Sequence, residues 1–168
     1  MPRALPLAIA VAALALTARG ATSPIVRGVT LGGSDPAIVL VGTGVQIYGC
    51  AASNGAYAWR LKAPDAVLTD SAGHRVGRHF AGPSWQADDG STVVGEPLVA
   101  SPAPRPGAIP WLVLRAKSHS GTGVFAGVSY IVRSMTTGGV APAGGCDAAH
   151  ADAEARVDYT ATYTFFPG

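Results

Sequence analysis

The sequence predicts an all-β fold: a single antiparallel β-barrel or β-sandwich of about eight to nine short strands, with little helix after the N-terminal segment. Glycine (22) and proline (13) are abundant without a period, which is typical of short strands joined by tight turns. Asn54-Gly55 and Asp89-Gly90 are two-residue hairpin signals. The closing segment, residues 156–166, alternates apolar and polar side chains, as a strand with one buried face does. The regular hairpins and this long last strand favour the barrel.

Residues 1–21 have the composition of a signal peptide. Arg3 supplies a positive charge, and Leu7–Leu16 is an apolar run too short to span a bilayer; the alternative is a buried N-terminal helix. Residues 22–36 are expected to form a flexible lead-in, and residues 37–168 a single all-β domain. We therefore expect a secreted or periplasmic protein. Stable membrane insertion after signal cleavage is not expected, because no later segment is long and apolar enough.

The two cysteines, Cys50 and Cys146, are expected to form a disulfide, because an even count in an exported chain favours pairing. The alternatives are two free thiols or a thiolate nucleophile at Cys50. The Asn54-Gly55 turn would place Cys50 opposite Trp59 and bury the sulfur, which favours the structural disulfide. The buried face of this hairpin is expected to carry five side chains: Tyr48, Cys50, Tyr57, Trp59 and Leu61.

The central stretch contains several chain reversals. Pro64 is expected to end the first hairpin, and the chain should bend at Gly82-Pro83, because proline cannot lie in a central strand. The Asp89-Gly90 turn, with both residues at positive φ, would place Trp85 opposite Val94.

The C-terminal half is expected to supply most of the remaining strands, over residues 92–100, 111–117, 124–135 and 156–166. Residues 101–110 contain four prolines and should form a stiff, locally extended loop. Residues 147–155 are rich in alanine and acidic side chains and are expected to form one or two helical turns.

The charge balance argues against some classes of partner. The formal net charge is only +2, and 13% of the residues are charged. The basic residues are scattered rather than grouped on one stripe. We therefore expect no binding to nucleic acid or to anionic membranes.

Several short motifs occur in a fixed order along the chain. They are Gly44–Tyr48 with Cys50, Trp59 with Ala63–Ala66, Gly82–Trp85, Asp89–Ser91, Ile109–Trp111, Gly138-Gly139 with Pro142 and Cys146, and Tyr159–Tyr163. In this combination the sequence resembles the exported bacterial and fungal proteins of domain-of-unknown-function family 3455, over nearly the whole mature chain. The resemblance implies no established activity, although some fungal members carry a malate dehydrogenase label.

A dehydrogenase would need a dinucleotide-binding loop. Residues 121–126 formally satisfy the G-x-G-x-x-G/A pattern. The loop must also lead directly into a helix whose N-terminus faces the pyrophosphate, whereas residues 124–135 are β-branched and predict a strand. NAD-dependent dehydrogenase activity is therefore not expected, and no cofactor is predicted.

Polar and aromatic side chains are concentrated in the stretch 79–91 and at the end of the proline-rich loop. The candidate ligand-binding residues are His79, Ser84, Trp85, Asp88, Asp89 and Trp111. A Ser-His-Asp triad is an alternative, but the chain has no Gly-x-Ser-x-Gly elbow. No metal site is expected, because His74 and His79 would point to opposite faces of a strand and no metal-binding motif is present. For the tryptophans, the alternative is core filling.

We expect a non-catalytic binding module for a small molecule or glycan, because small barrels offer a mouth where such residues converge. One alternative is a small hydrolase or isomerase that uses His79 with Asp88 or Asp89. Another is a structural cell-envelope protein without a small ligand. An enzyme needs His79 within hydrogen-bond reach of a carboxylate, whereas a structural protein should have a filled interior and an apolar exterior patch.

Overall fold

The computed structural model describes residues 38–168, which form a closed antiparallel β-barrel of eight strands. Each strand pairs with the next along the chain, and the last pairs with the first. The strands are β1 (Ile38–Ser53), β2 (Ala56–Thr69), β3 (Arg75–Phe80), β4 (Ser84–Ala87), β5 (Thr92–Ser101), β6 (Trp111–Ser120), β7 (Val128–Gly138) and β8 (Glu154–Pro167). The predicted all-β class is confirmed. The expected signal peptide and lead-in lie outside the described residues.

Neighbouring strands run in opposite directions, so the connections lie alternately at two ends of the barrel. The upper end carries the connections 54–55, 81–83, 102–110 and 139–153, and the lower end carries 70–74, 88–91 and 121–127. Over residues 38–168, no helix has the length and apolar character needed to cross a membrane. The helical turn expected in 147–155 is a single 3-10 turn, Ala148–His150.

The register of the first hairpin is as predicted. Asn54 (φ 52°) and Gly55 (φ 80°) both lie in the left-handed region, which the two-residue turn requires. Cys50 therefore pairs with Trp59. The structure also contains the predicted disulfide between Cys50 and Cys146, with their Cα atoms 5.3 Å apart. It joins the end of β1 to the connection 139–153.

The buried face predicted for this hairpin is only partly correct. Tyr48 is buried, but Leu61 is 56% exposed. The reason is that β3 pairs with β2 only over residues 66–69, so the upper part of β2 has a neighbour on one side alone. The expectation that Pro64 ends the pair is wrong, because β2 continues to Thr69. Pro64 precedes the stretch that bonds to β3, so its missing N–H breaks no bond to that strand.

The register predicted for the β4–β5 hairpin is wrong by one residue. Trp85 pairs with Val93 rather than with Val94. Gly90 (φ 87°) has a positive φ, whereas Asp89 does not. The Gly90 N–H donates to the carbonyl three residues earlier, which makes a longer loop with a glycine bulge instead of a two-residue turn. In the observed register Trp85 and Val93 are both buried.

The barrel interior is filled with side chains. Phe125, from a lower-end connection, packs on Phe165 with ring centroids 4.7 Å apart. Trp85 contacts both Phe165 and Tyr163. The predicted alternation of the last strand is confirmed, since Tyr159, Tyr163 and Phe165 are buried. A separate buried cluster lies on the opposite face of the strands and consists of Val113, Val132 and Phe166.

Candidate functional site

His79 lies inside the barrel and is 2% exposed. Its Nδ1–H donates to the Ser84 carbonyl oxygen at 2.8 Å, since a carbonyl accepts and cannot donate. Its ring stacks on Trp85 at 4.4 Å between centroids and lies 4.9 Å from the Tyr163 ring. These contacts bring three predicted residues together, His79, Ser84 and Trp85, as part of the core.

Burial lowers the pKa of His79 from 6.5 to about 3, against the opposing effect of its hydrogen bond to Ser84. The imidazole is therefore neutral near pH 7. Ser84 contributes its carbonyl rather than its hydroxyl to this contact. This is not the arrangement in which a histidine base activates a serine hydroxyl.

Asp88 and Asp89 lie at the lower end and hold a turn together. Both Asp88 carboxylate oxygens accept from Arg75 at 2.7 Å. Asp89 accepts from the Ser91 hydroxyl at 2.6 Å and from the Val124 amide at 2.9 Å. The Ser91 hydroxyl bond is the main cause that lowers the pKa of the Asp89 carboxyl. These carboxylates stabilise the connection between two hairpins.

Trp111 lies at the opposite end, beside a cavity of about 220 Å³. This cavity is lined by Pro104, Arg105, Trp111, Met135 and Thr136. The six predicted residues therefore do not form one site. Of the six, Trp111 is the one that lines this cavity, because the up-and-down strand order separates the β4–β5 turn from the β5–β6 loop.

The cavity wall is fixed by hydrogen bonds from β7 to the segment before Trp111. Thr136 donates its hydroxyl to the Ile109 carbonyl at 2.7 Å. Arg133 donates Nε and Nη2 to the Pro110 carbonyl at 3.0 and 2.8 Å. These contacts hold Trp111 at the start of β6, while the proline-rich loop forms the facing side.

Met135 has an unusual backbone conformation. Its φ is 50°, and its side chain is 66% exposed. It lies in an irregular stretch of β7, where the register with β8 shifts between Ser134 and Thr137. Bulges of this kind turn a side chain away from the regular strand direction. Here the bulge coincides with the presentation of Met135 to the cavity.

The cavity is bordered by positive charge. Arg105 is exposed on the loop, and Arg133 is partly buried behind Pro110. Burial lowers the pKa of Arg133, and the neighbouring tyrosines Tyr163, Tyr159 and Tyr48 oppose that effect. Within residues 38–168, neither arginine has a carboxylate within 4.0 Å.

Three buried side-chain N–H groups lack a hydrogen-bond acceptor among the described residues: Gln46 Nε2, Trp85 Nε1 and Trp111 Nε1. Gln46 lies under the upper-end connections, where its Cγ approaches Gly139. Over residues 38–168, no three His, Cys, Asp or Glu side chains are grouped as metal ligands. Residues 121–126 form a loop that leads into β7, without the helix that a dinucleotide site requires.

A family model matches residues 31–167, a span that begins before β1 and ends with β8. The chain belongs to the family described as protein of unknown function (DUF3455). The match confirms the resemblance drawn from the short motifs. No curated protein and no solved structure matches this DUF3455 chain.

Sequence reasoning missed most of the residues that line the cavity in this DUF3455 member. The proline-rich loop was expected near the site, but Arg105 and Pro104 were not singled out. Met135 was placed at the end of an ordinary strand, because nothing in its residue type indicates a positive φ. The four prolines within residues 101–110, just before Trp111, were the available signal, since binding residues are often on loops and pockets are often lined by aromatic side chains.

Proposed function

We propose that this protein is a non-catalytic binding module for a small molecule or a glycan unit, with its site at the upper end beside Trp111. The observation that carries the proposal is a pocket with an aromatic wall, formed by a stiff loop and a bulged strand. Binding residues are commonly found on loops held by a rigid scaffold. The closed barrel supplies that scaffold.

The backbone of Met135 supports the proposal independently. A non-glycine residue in the left-handed region costs on the order of 1–2 kcal/mol. Such strain persists where the surrounding structure imposes it, and it is concentrated at ligand sites. Met135 is also mostly exposed, so core packing does not explain why a long apolar side chain is held there. A flexible thioether is well suited to close over a bound ring.

The size of the cavity limits the ligand. Its volume of about 220 Å³ is below the roughly 300–1,000 Å³ of pockets that enclose drug-sized molecules. One ring, such as a monosaccharide unit or a substituted benzene, fits this volume. We propose that the ring stacks on Trp111, with Met135 and Pro104 against its edges.

The proposal is tested by NMR titration of the ¹⁵N-labelled protein with glucose, N-acetylglucosamine, benzamide and benzoate. Each tryptophan gives a separate indole N–H signal, so the signals report where a probe binds. We expect the Trp111 signal to move on saturable binding of at least one probe, and those of Trp59 and Trp85 to stay. Trp111→Ala removes this reporter, so binding to the variant is followed by the backbone amide signals of Met135 and Thr136, which also line the cavity; their shifts should be lost. The matched control is Leu61→Ala, which truncates an exposed side chain outside the pocket.

An absence of saturable shifts at Trp111 with all four probes would reject this site. Saturable shifts of the Met135 and Thr136 amides that survive Trp111→Ala would mean that binding does not depend on Trp111. The alternative of a hydrolase or isomerase receives no support from the contacts of His79, whose Nδ1 is occupied by a backbone carbonyl. Asp88 and Asp89 lie at the end away from Trp111 and are engaged in turn contacts.

A structural role in the envelope is the second candidate, because one exterior patch is apolar. Val39, Val41 and Val67 are 49%, 40% and 44% exposed. They alternate on β1 and the neighbouring β2, where Thr43 pairs with Val67, so their side chains share a face. Sedimentation velocity tests this candidate: association that Val41→Lys abolishes would favour it. The disulfide agrees with export to an oxidising compartment, which we also propose.

A further inference from the structure

We infer that the ligand of the Trp111 pocket is an anion: a small ring that carries a carboxylate. This inference rests on the proposed function and names the chemical class that the site would take. It depends on the distribution of charge around the pocket, on its apolar lining and on its size. The distribution of charge was not used to place the site at Trp111.

The charge around the pocket is positive and uncompensated. Arg105 lines the cavity, and the guanidinium of Arg133 lies directly behind its wall, bonded to the Pro110 carbonyl. Elsewhere on the barrel, Arg75, Arg115 and Arg156 each have a carboxylate partner at 2.7 or 2.8 Å. Among residues 38–168, no carboxylate lies within 4.0 Å of the two arginines at the pocket.

A partly buried cation is usually paired, because loss of hydration must be offset. Around Arg133 the compensating groups are neutral: a backbone carbonyl and the phenol groups of Tyr163, Tyr159 and Tyr48. A bound anion near Arg105 would add the opposite charge that this region lacks. The guanidinium of Arg105 can bind a carboxylate through two parallel hydrogen bonds.

The remaining lining selects the rest of the ligand. Trp111, Met135 and Pro104 offer apolar surface, which favours a flat ring over a bare inorganic anion. The volume admits one ring with one small substituent. A carboxylate attached directly to the ring is therefore the chemistry that satisfies both the aromatic wall and the arginine.

Benzoate and benzamide provide the matched pair of probes, since they share shape and differ in charge. In NMR titrations of the ¹⁵N-labelled protein, we expect benzoate to bind about tenfold more tightly than benzamide, as a charge-assisted hydrogen bond implies. The preference should shrink as salt is raised, because Arg105 is exposed and its charge is screened.

Three variants locate the preference. Arg105→Gln should lower the ratio of benzoate affinity to benzamide affinity roughly five- to tenfold. Arg60→Gln is the control, since Arg60 is another exposed arginine, on β2, with no carboxylate within 4.0 Å among residues 38–168. Arg133→Lys keeps the positive charge behind the wall, so it should retain the preference.

The outcomes separate this inference from the proposed function. If benzamide binds at Trp111 as tightly as benzoate, or if Arg105→Gln leaves the preference intact, the inference is overturned while the binding site stands. If neither probe nor either sugar moves the Trp111 signal, both are overturned. A preference lost equally in Arg60→Gln would also overturn the inference, because it would then reflect the overall charge of the protein.

Discussion

His79 makes the stability of the barrel depend on pH above the range in which carboxylates titrate. Its pKa is about 3 in the folded protein and close to 6.5 when exposed. Below pH 6.5 the His79 imidazole is therefore protonated in the unfolded chain but stays neutral in the folded protein. The stability that comes from the neutral imidazole is complete above pH 6.5, and it is lost progressively as the pH falls toward 3.

The size of this effect follows from the pKa difference. Each pH unit inside the window changes the free energy of unfolding by about 1.4 kcal/mol. Between pH 7.5 and pH 5 the expected loss is about 2 kcal/mol. This figure depends on the unfolded pKa and barely on the folded one, as long as the latter lies well below 5. Carboxyl groups with lowered pKa, such as those of Asp89 and Asp147, lose their contribution mainly at lower pH.

Urea unfolding followed by tryptophan fluorescence measures the effect at pH 7.5 and pH 5. His79→Phe keeps a ring against Trp85 but cannot be protonated, and His79→Gln keeps an N–H donor for the Ser84 carbonyl. Both variants should be less stable than the wild type at pH 7.5 and should lose little more at pH 5. His74→Gln, which removes an exposed imidazole, should behave like the wild type. If the free energy of unfolding of both His79 variants fell between pH 7.5 and pH 5 by as much as that of the wild type, His79 would not be the source of the pH dependence.

Three further predictions concern the upper end. Replacing Cys50 and Cys146 by alanine frees a cross-link between residues 96 positions apart and should lower the free energy of unfolding by about 4–5 kcal/mol, measured in urea; a loss below about 1 kcal/mol would contradict the loop-entropy estimate. Gly139→Ala brings a Cβ to 2.9–3.0 Å from two neighbouring side chains at φ 81° and should destabilise by about 2–4 kcal/mol. Gly144→Ala, with open space around it, should be nearly neutral, so equal losses in the two would be inconsistent with a packing effect. Met135→Gly should raise the free energy of unfolding by about 0.5–1 kcal/mol and weaken probe binding; a less stable variant would mean that no strain is stored there.

The sequence correctly predicted the parts of the fold that depend on interactions between residues close together in the chain. The first hairpin is one of them, because Asn54 and Gly55 both tolerate positive φ and leave one possible register. The alternation of apolar and polar residues in β8 likewise predicted which face of the strand is buried. The β4–β5 register was missed because Asp89 is held by the amide of Val124, which is 35 residues away in sequence. The residues near Asp89 in the sequence do not predict that contact.

The candidate site was harder to predict, because it depends on which end of the barrel each connection reaches. His79 and Trp85 look like ligand groups in the sequence, yet their register turns them inward. Trp111 was predicted as a ligand-binding residue only from the proline-rich residues that precede it in the sequence. The bulge that presents Met135 and the partners of Arg133 arise from contacts between β7 and the β5–β6 loop. Those contacts exist only in the folded chain.

The pairing of the first strand with the last determines when the barrel can close during folding. Residues 38–49 form a hydrogen-bonded ladder with residues 154–165, so the barrel closes only when β8 docks on β1. Until then seven strands make an open sheet with two bare edges, the kind of surface that recruits other chains. A chain in which β8 has not yet docked is therefore the form most vulnerable to aggregation, and truncation before residue 154 should leave an insoluble product.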